Sequence, residues 1–260
     1  MGSRLSSNQG WPVHTSAYPQ WVAAVPATLT TQTAHLRWRR LLRTLLVALV
    51  LLSVLIGFGS TYRAVFYPVI QQPVSSDALL VLGPVDEKME LAVQLVRDGV
   101  ADTLLISDQY LVDEGSGGCR PEVNYLLEHL GALDASFPAK IICFRPDPVT
   151  TQGEALFLRD MGTDLGWSSV TVVSYTPHVE RARILLNRCW DGELAVTAVD
   201  QPMSTSEAIG TYFYQSGAMV KTLFTPKCDS RLPPWVEEFG WKVSDTEERL
   251  DPYAETLNTH

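Results

Sequence analysis

The chain has 260 residues and a formal net charge of −9, and this charge combines two unlike segments. Residues 1–63 contain six arginines and no acidic residue, whereas the rest of the chain contains the other 14 basic residues and all 29 acidic ones. The acidic body argues against a nucleic-acid partner, which needs a basic face. A hydrophobic fraction of 46% excludes a chain that is disordered throughout.

The N-terminal segment has the pattern of a membrane anchor. Residues 1–36 are rich in Ser, Thr, Pro and Gln, and we expect residues 1–40 to form a disordered cytoplasmic tail. The following segment, 41–63, contains an uncharged run from Thr44 to Tyr62, whose 19 residues come close to the roughly 20 that cross the hydrocarbon layer. Four arginines closely precede this run and one follows it, so the positive-inside rule predicts a single-pass helix with an extracytoplasmic C-terminal domain.

A cleaved signal peptide and a buried core helix are the alternatives to an uncleaved anchor. A signal peptide rarely has a leader of about 40 residues, and no A-x-A site follows the apolar run. A core helix would have a polar face, and this run has none. Both observations favour the anchor, which places the membrane itself among the partners of the chain.

All four cysteines follow the predicted anchor: Cys119, Cys143, Cys189 and Cys228. An even number in an oxidising compartment predicts two disulfides, and three pairings are possible. We expect sequence neighbours to pair, Cys119 with Cys143 and Cys189 with Cys228, with buried free thiols as the alternative. No C-x-x-C pair is present, which argues against a zinc ribbon or a thioredoxin-type motif.

From residue 76 to residue 226, short apolar runs alternate with amphipathic stretches. The predicted strands are 78–82, 103–107, 140–144, 169–173 and 194–198. The predicted helices are 87–100, 121–130, 151–161, 178–189 and 205–223, the third of them ending at Gly162. Uniformly apolar strands between helices predict a three-layer, Rossmann-like α/β domain with a parallel sheet. Residues 227–260 form a C-terminal extension.

Ligands of such sheets bind beyond the carboxyl ends of the strands, where four loops meet. The candidate ligand-binding residues in and beside these loops are Gly83, Asp108, Thr150, Thr151 and Ser174. Thr150 or Thr151 is a natural helix N-cap, and Glu154 stands at the capping-box position relative to Thr151. That local role explains these residues by itself. The alternative is that the hydroxyls and the free amides of the helix start hold an anion.

The segment 173–182 contains the strongest pair of candidates. His178 stands at a predicted helix start and Arg181 follows one turn later, so an imidazole and a guanidinium share one face near a positive helix end. Such a pair suits phosphate or carboxylate. The alternatives are a capping or packing role for His178, and for Arg181 an exposed ion pair with Glu180, Asp191 or an acidic residue elsewhere.

At this point the chain resembles a known family. It contains a strand ending in Leu82–Gly83, a helix with Lys88 and Ala92, a Thr-x-x-x-Ala element at 151–155 and the pattern V-[TS]-x-x-x-H-x-x-R-A at 173–182. In these features residues 77–221 resemble the YdcF-like domain family, which includes the SanA and ElyC envelope proteins. The resemblance implies a Rossmann-like fold, an N-terminal membrane helix and a site that includes His178 and Arg181. The chain has fewer glycines than the family after strands one and two, and has Glu154 where the family has Asn.

The motifs assign no cofactor and no metal site, since there is no G-x-G-x-x-G after the first strand, no Walker loop and no H-E-x-x-H. Together with the predicted anchor, the resemblance implies a membrane-anchored envelope protein that binds a small anionic ligand or envelope precursor, with hydrolysis or group transfer as the reactions to consider. His178 would then be the acid/base, Arg181 the anion clamp, and Glu154 or Asp108 a second carboxylate. A non-catalytic binding module and a scaffold of a membrane complex are the alternatives; protein partners are not identified.

Overall fold

The computed structural model describes residues 27–111 and 118–230, which form parts of two compact units, 1–55 and 56–260. Helix α1 spans Ala27–Phe66, and by length and composition its segment Arg37–Phe66 can cross a membrane. The helix begins earlier than residue 41, because no Pro or Gly interrupts the sequence between Pro26 and Gly57. Residues 1–26 of the predicted tail lie outside the described residues.

Five parallel strands form one sheet in the second unit. They are β1 (Ala78–Val81), β2 (Thr103–Ser107), β3 (Lys140–Phe144), β4 (Ser169–Tyr175) and β5 (Glu193–Val199), arranged in the order β3-β2-β1-β4-β5. In the centre of the sheet, Leu80 of β1 is in register with Leu105 of β2 and Val172 of β4. Strand β4 continues two residues beyond its predicted end at Val173, which places Ser174 on the strand.

Helices cover both faces of the sheet and confirm the predicted three-layer α/β architecture. The covering helices are α2 (Lys88–Arg97), α3 (Pro121–His129), α4 (Thr151–Leu165) and α5 (Val179–Cys189), with a 3₁₀ turn at Thr176–His178 before α5. The last helix, α6 (Thr205–Phe224), packs against α5 and this turn. Leu79 and Val81 pack toward α2 and α3, whereas Leu80 and Leu82 pack toward α4 and α5. Because successive side chains of a strand point to opposite faces, a strand buried on both faces must be apolar throughout.

The end of α4 differs from the prediction, which placed it at Gly162. The helix continues to Leu165 and ends at Gly166, whose φ of 71° is the left-handed conformation of a glycine C-cap. Gly162 lies inside the helix, where a Cβ would come within 2.3 Å of the Trp190 ring. Close packing against Trp190, and not termination of the helix, therefore requires the glycine.

Both disulfides join sequence neighbours, as predicted. Cys119, just before α3, is bonded to Cys143 of β3, and Cys189 at the end of α5 is bonded to Cys228 after α6. The Cα–Cα distances are 5.0 and 4.9 Å, within the usual range for disulfides. The second bond holds the segment after α6 against α5.

Candidate functional site

The candidate site lies at the topological switch point of the sheet. In the order β3-β2-β1-β4-β5, the connections turn in opposite directions on the two sides of the β1–β4 pair. The carboxyl ends of β1 and β4 therefore border the crevice in which doubly wound α/β sheets bind ligands. The polar residues that meet there, in chain order, are Gly83, Lys88, Ser107, Thr151, Glu154, Ser174, Tyr175, His178, Arg181 and Gln215.

His178 is the centre of a short chain of hydrogen bonds. Its Nε2 lies 3.1 Å from the Thr151 hydroxyl and its Nδ1 lies 3.2 Å from the Ser174 hydroxyl. The side chain is buried, and this burial, reinforced by the positive charges of Arg181 and Lys88, holds the pKa of His178 well below its ordinary value. The ring is therefore neutral at physiological pH, with one nitrogen as donor and the other as acceptor.

Arg181 is held by neutral partners. Its guanidinium donates to the Thr151 hydroxyl at 3.4 Å and to the Gln215 side-chain carbonyl at 3.1 Å. Gln215 in turn donates to the Tyr175 hydroxyl at 3.0 Å. Neither of these two hydrogen-bond partners carries a charge, while the charge of Arg181 also acts on the nearby Glu154 carboxyl. The predicted alternative partner Glu180 instead forms a salt bridge with Arg183 at 2.8 Å.

The hydrogen bonds assign a consistent direction for the protons. Arg181 can only donate, so Thr151 accepts from it and can use its own proton toward Nε2 of His178. The remaining hydrogen of the neutral ring is then on Nδ1 and is donated to Ser174. This arrangement leaves the Thr151 oxygen polarised between a guanidinium and an imidazole base.

Glu154 is the second acidic candidate, and the structure corrects its predicted local role. Thr150, not Thr151, is the N-cap of α4 and accepts from the Gly153 backbone N–H at 3.4 Å. Glu154 is consequently not at the capping-box position, and its Oε1 accepts from the backbone N–H of Gly83 at 2.8 Å. Burial raises the pKa of Glu154, while hydrogen bonds from Ser107 and Gly83 and the charges of Arg181 and Lys88 oppose that rise.

Lys88 is the principal site residue that the residue patterns did not identify; it entered only through the family resemblance. Its side chain is fully buried and its Nζ lies 2.7 Å from Asp86 and 5.5 Å from the centre of the Tyr175 ring. The sequence signal was a lysine at the start of α2, directly after the β1 loop, at a position where a helix facing a sheet would bury its side chain. Ser107, Tyr175 and Gln215 were also missed, because their roles depend on contacts distant in sequence.

Two predicted ligand-binding residues have other contacts. Asp108 is buried and forms a salt bridge with Arg120 at 2.6 Å, while its other oxygen accepts from the Tyr110 backbone N–H at 3.0 Å. Thr150 serves as the helix cap described above. Gly83, Thr151 and Ser174 do join His178, Arg181 and Glu154 at the strand ends.

Within residues 27–111 and 118–230, no group of three or more His, Cys, Asp or Glu side chains is placed to hold a metal.

A scan against protein-family models finds no match, and a search of curated proteins finds no relative. The resemblance to YdcF-like domains therefore stays a prediction.

Proposed function

We propose that this chain is a single-pass membrane protein of the YdcF-like type, whose α/β domain lies outside the cytoplasm and binds a small anion at the switch point. The membrane helix and the two disulfides support this placement. The arginines that precede the apolar run support a cytoplasmic N-terminus. In this setting the anion would be a metabolite or an envelope precursor that carries a phosphate or carboxylate.

The observation that carries the anion proposal is the Arg181 guanidinium, whose hydrogen bonds go to the neutral side chains of Thr151 and Gln215, beside a neutral His178. The domain as a whole is acidic, so its long-range field repels anions and a binding site must depend on local donors. Arg181 supplies two or more donors in a planar fork that matches phosphate and carboxylate oxygens. The first turn of α4 adds the positive end of a helix beside this guanidinium.

The first test is ligand-induced stabilisation of the full chain, with inorganic phosphate, acetate and a set of phosphomonoesters as probes. Arg181→Ala should abolish the shift in unfolding temperature that a binding probe produces, and Arg181→Lys should restore part of it. Arg183→Ala is the matched control, since Arg183 is on the same helix but pairs with Glu180. Equal shifts in wild type, Arg181→Ala and Arg183→Ala would refute the assignment.

A hydrolase or transferase is the catalytic form of this proposal. Neutral His178 would accept the Thr151 proton as the hydroxyl oxygen attacks the phosphorus of a bound phosphomonoester, and the P–O bond to the alcohol would break. The protonated His178 would return the proton to the departing alcohol, and Arg181 would stabilise the charge that develops on the phosphoryl oxygens. In that case His178→Ala should reduce turnover of a stabilising probe far more than its binding. Retained turnover in this variant would exclude the base.

A non-catalytic binding module is the second candidate, and one observation favours it. Both ring nitrogens of His178 already have hydroxyl partners and only 3% of the residue is exposed. A buried histidine with both ring nitrogens occupied can serve to position the Thr151 and Ser174 hydroxyls without transferring a proton. Stabilisation by a probe that the protein never converts would assign this role.

Orientation is tested independently of the ligand. An epitope placed after residue 260 should be cut by protease added to intact cells, and an epitope before residue 1 should be protected. The reverse pattern would overturn the extracytoplasmic placement.

A further inference from the structure

Helix α6 has an exposed apolar face. Its buried stripe contains Tyr212, Gln215 and Thr222. Of the eleven large hydrophobic residues after position 70 that are exposed in the described part of the chain, six lie on this one helix: Ile209, Phe213, Tyr214, Val220, Leu223 and Phe224. A surface helix of a water-soluble domain normally presents polar residues on its outer face, so this concentration indicates an apolar contact.

The same helix contacts the outer end of the membrane helix. The Tyr212 hydroxyl donates to the backbone carbonyl of Phe58 at 3.1 Å, and the two rings lie 4.9 Å apart. The Tyr212 ring also lies 6.4 Å from Tyr62 and from Phe66. Phe58 precedes Tyr62, the end of the uncharged run, by four residues, which is about 6 Å along a helix axis. The contact between α6 and α1 thus spans the end of the uncharged run, and its inner end at Phe58 lies within the depth of about 5–10 Å to which interfacial helices bury their apolar faces.

The chain after α1 keeps this contact in place. The backbone N–H of Val69 donates to Glu180 at 3.1 Å, and Arg183 donates to the Val69 carbonyl. Gln71 and Val196 of β5 are joined by two hydrogen bonds of 3.0 and 2.9 Å. Because the connecting segment is fastened to both α5 and β5, the domain has a defined orientation relative to residues 56–66.

The composition of α6 also fits a lipid interface. Residues 208–224 contain one charged residue, Lys221, and no acidic residue. Tyr212, Phe213 and Tyr214 form an aromatic group at the level of Phe58 and Tyr62, and aromatic side chains are enriched at membrane interfaces. A protein partner would not require these aromatic residues to stand at the membrane boundary.

We propose that α6 is an interfacial membrane helix, with the face that contains Ile209, Phe213 and Val220 inserted in the outer boundary of the lipid bilayer beside α1. The inference rests on the proposed membrane anchoring but not on the proposed ligand.

The proposal also fixes where the candidate site lies relative to the membrane, because Gln215, on the opposite face of α6, is hydrogen-bonded to Arg181 and Tyr175. Arg181 then lies within about one helix diameter, roughly 10 Å, of the membrane surface.

The test uses the full chain in nanodiscs of phosphatidylethanolamine and phosphatidylglycerol, one protein in each disc. All four native cysteines are in disulfides, so a new cysteine can be labelled specifically with an environment-sensitive fluorophore. Phe213→Cys and Val220→Cys, where 68% and 53% of the native residue is exposed, are compared with Tyr125→Cys and Leu165→Cys, where the values are 70% and 58%. Lipids with a nitroxide on the upper acyl chain quench from within the bilayer, and iodide quenches from water.

We expect lipid quenching at positions 213 and 220 to be at least twice that at 125 and 165, with iodide quenching reduced by a similar factor. Equal quenching at all four positions would overturn the proposal. Protection from iodide without quenching by the lipid would also overturn it, because a second copy or another protein would then cover the face. Stabilisation of the same labelled proteins by phosphate is measured in parallel, so a failure of the ligand proposal is distinguished from a failure of the lipid contact.

Discussion

Gly153, in the first turn of α4, packs so closely against the loop before the helix that its replacement by alanine tests the local structure of the candidate site. A Cβ at this position would lie 1.9 Å from the carbonyl oxygen of Pro148 and 2.9 Å from two backbone atoms of Asp147. Ordinary contacts begin near 3.4 Å, so the loop would have to move by about 1.5 Å. The opposing atoms belong to the backbone and cannot rotate away, and the same loop leads into Thr150 and Thr151.

We expect Gly153→Ala to destabilise the domain by about 2 kcal/mol. Overpacking against a fixed neighbour costs up to about 3 kcal/mol, and the higher helix propensity of alanine returns about 1 kcal/mol. The equilibrium constant for unfolding should therefore rise roughly thirtyfold. Gly210→Ala is the matched control, because nothing lies within 4 Å of a Cβ there, and it should be neutral or stabilising by up to about 1 kcal/mol.

Urea unfolding of the full chain at constant detergent concentration, followed by tryptophan fluorescence, measures both variants. The buried Trp190 reports on the packing between α4 and α5. A midpoint for Gly153→Ala equal to or above that of wild type, with an unchanged m value, would refute the close approach of the 147–148 loop to α4.

Further predictions concern pH and the disulfides. Because the pKa of His178 is lowered in the folded protein, the free energy of unfolding should decrease as the pH falls below the ordinary histidine value of 6.5, by up to about 1.4 kcal/mol per pH unit. His178→Gln should reduce this decrease between pH 7 and 5. The raised pKa of Glu154 has the opposite effect, because its contribution to the free energy of unfolding is present at low pH and lost as the pH rises. Glu154→Gln should therefore make the protein lose more stability on acidification than wild type does. Parallel stability–pH curves for the three proteins would contradict both assignments. Replacing Cys189 and Cys228 by serine opens a loop with a sequence separation of 39 and should cost about 3.9 kcal/mol in the chain-entropy treatment; an unchanged urea midpoint would show that this bond does not constrain the unfolded chain.

The pattern of hydrophobicity determined the layered fold. The bounds of β2 and β3 agree with prediction to the residue, because strands of a parallel sheet covered on both faces are short apolar runs between polar or turn-forming residues. The uncharged run from Thr44 to Tyr62 likewise identified the candidate membrane helix, since a charge in lipid is costly and its absence over 19 residues is unusual. Such features are local, and a local pattern is visible in one sequence.

Glu154 shows where local patterns fail. Its spacing from Thr151 predicted a capping box, but the backbone N–H of Gly83, distant by 71 positions, is its partner. The cap shifted to Thr150, and the carboxylate became free to satisfy a buried donor at the end of β1. A buried backbone N–H without a partner costs free energy comparable to a lost hydrogen bond, so the long-range contact prevails over the local one.

The sequence by itself identified the candidate membrane helix, the α/β class, and His178, Arg181 and Thr151 as candidate site residues. Only the tertiary structure decided the strand order, which of three disulfide pairings forms, and which polar residues surround those candidates. Lys88 and Gln215 belong to helices at opposite ends of the domain sequence, and both contact Tyr175, while Gln215 also accepts from Arg181. The physical reason is that strand ends far apart in sequence converge at one edge of a parallel sheet, where burial and charge are set by neighbours that no short-range pattern identifies.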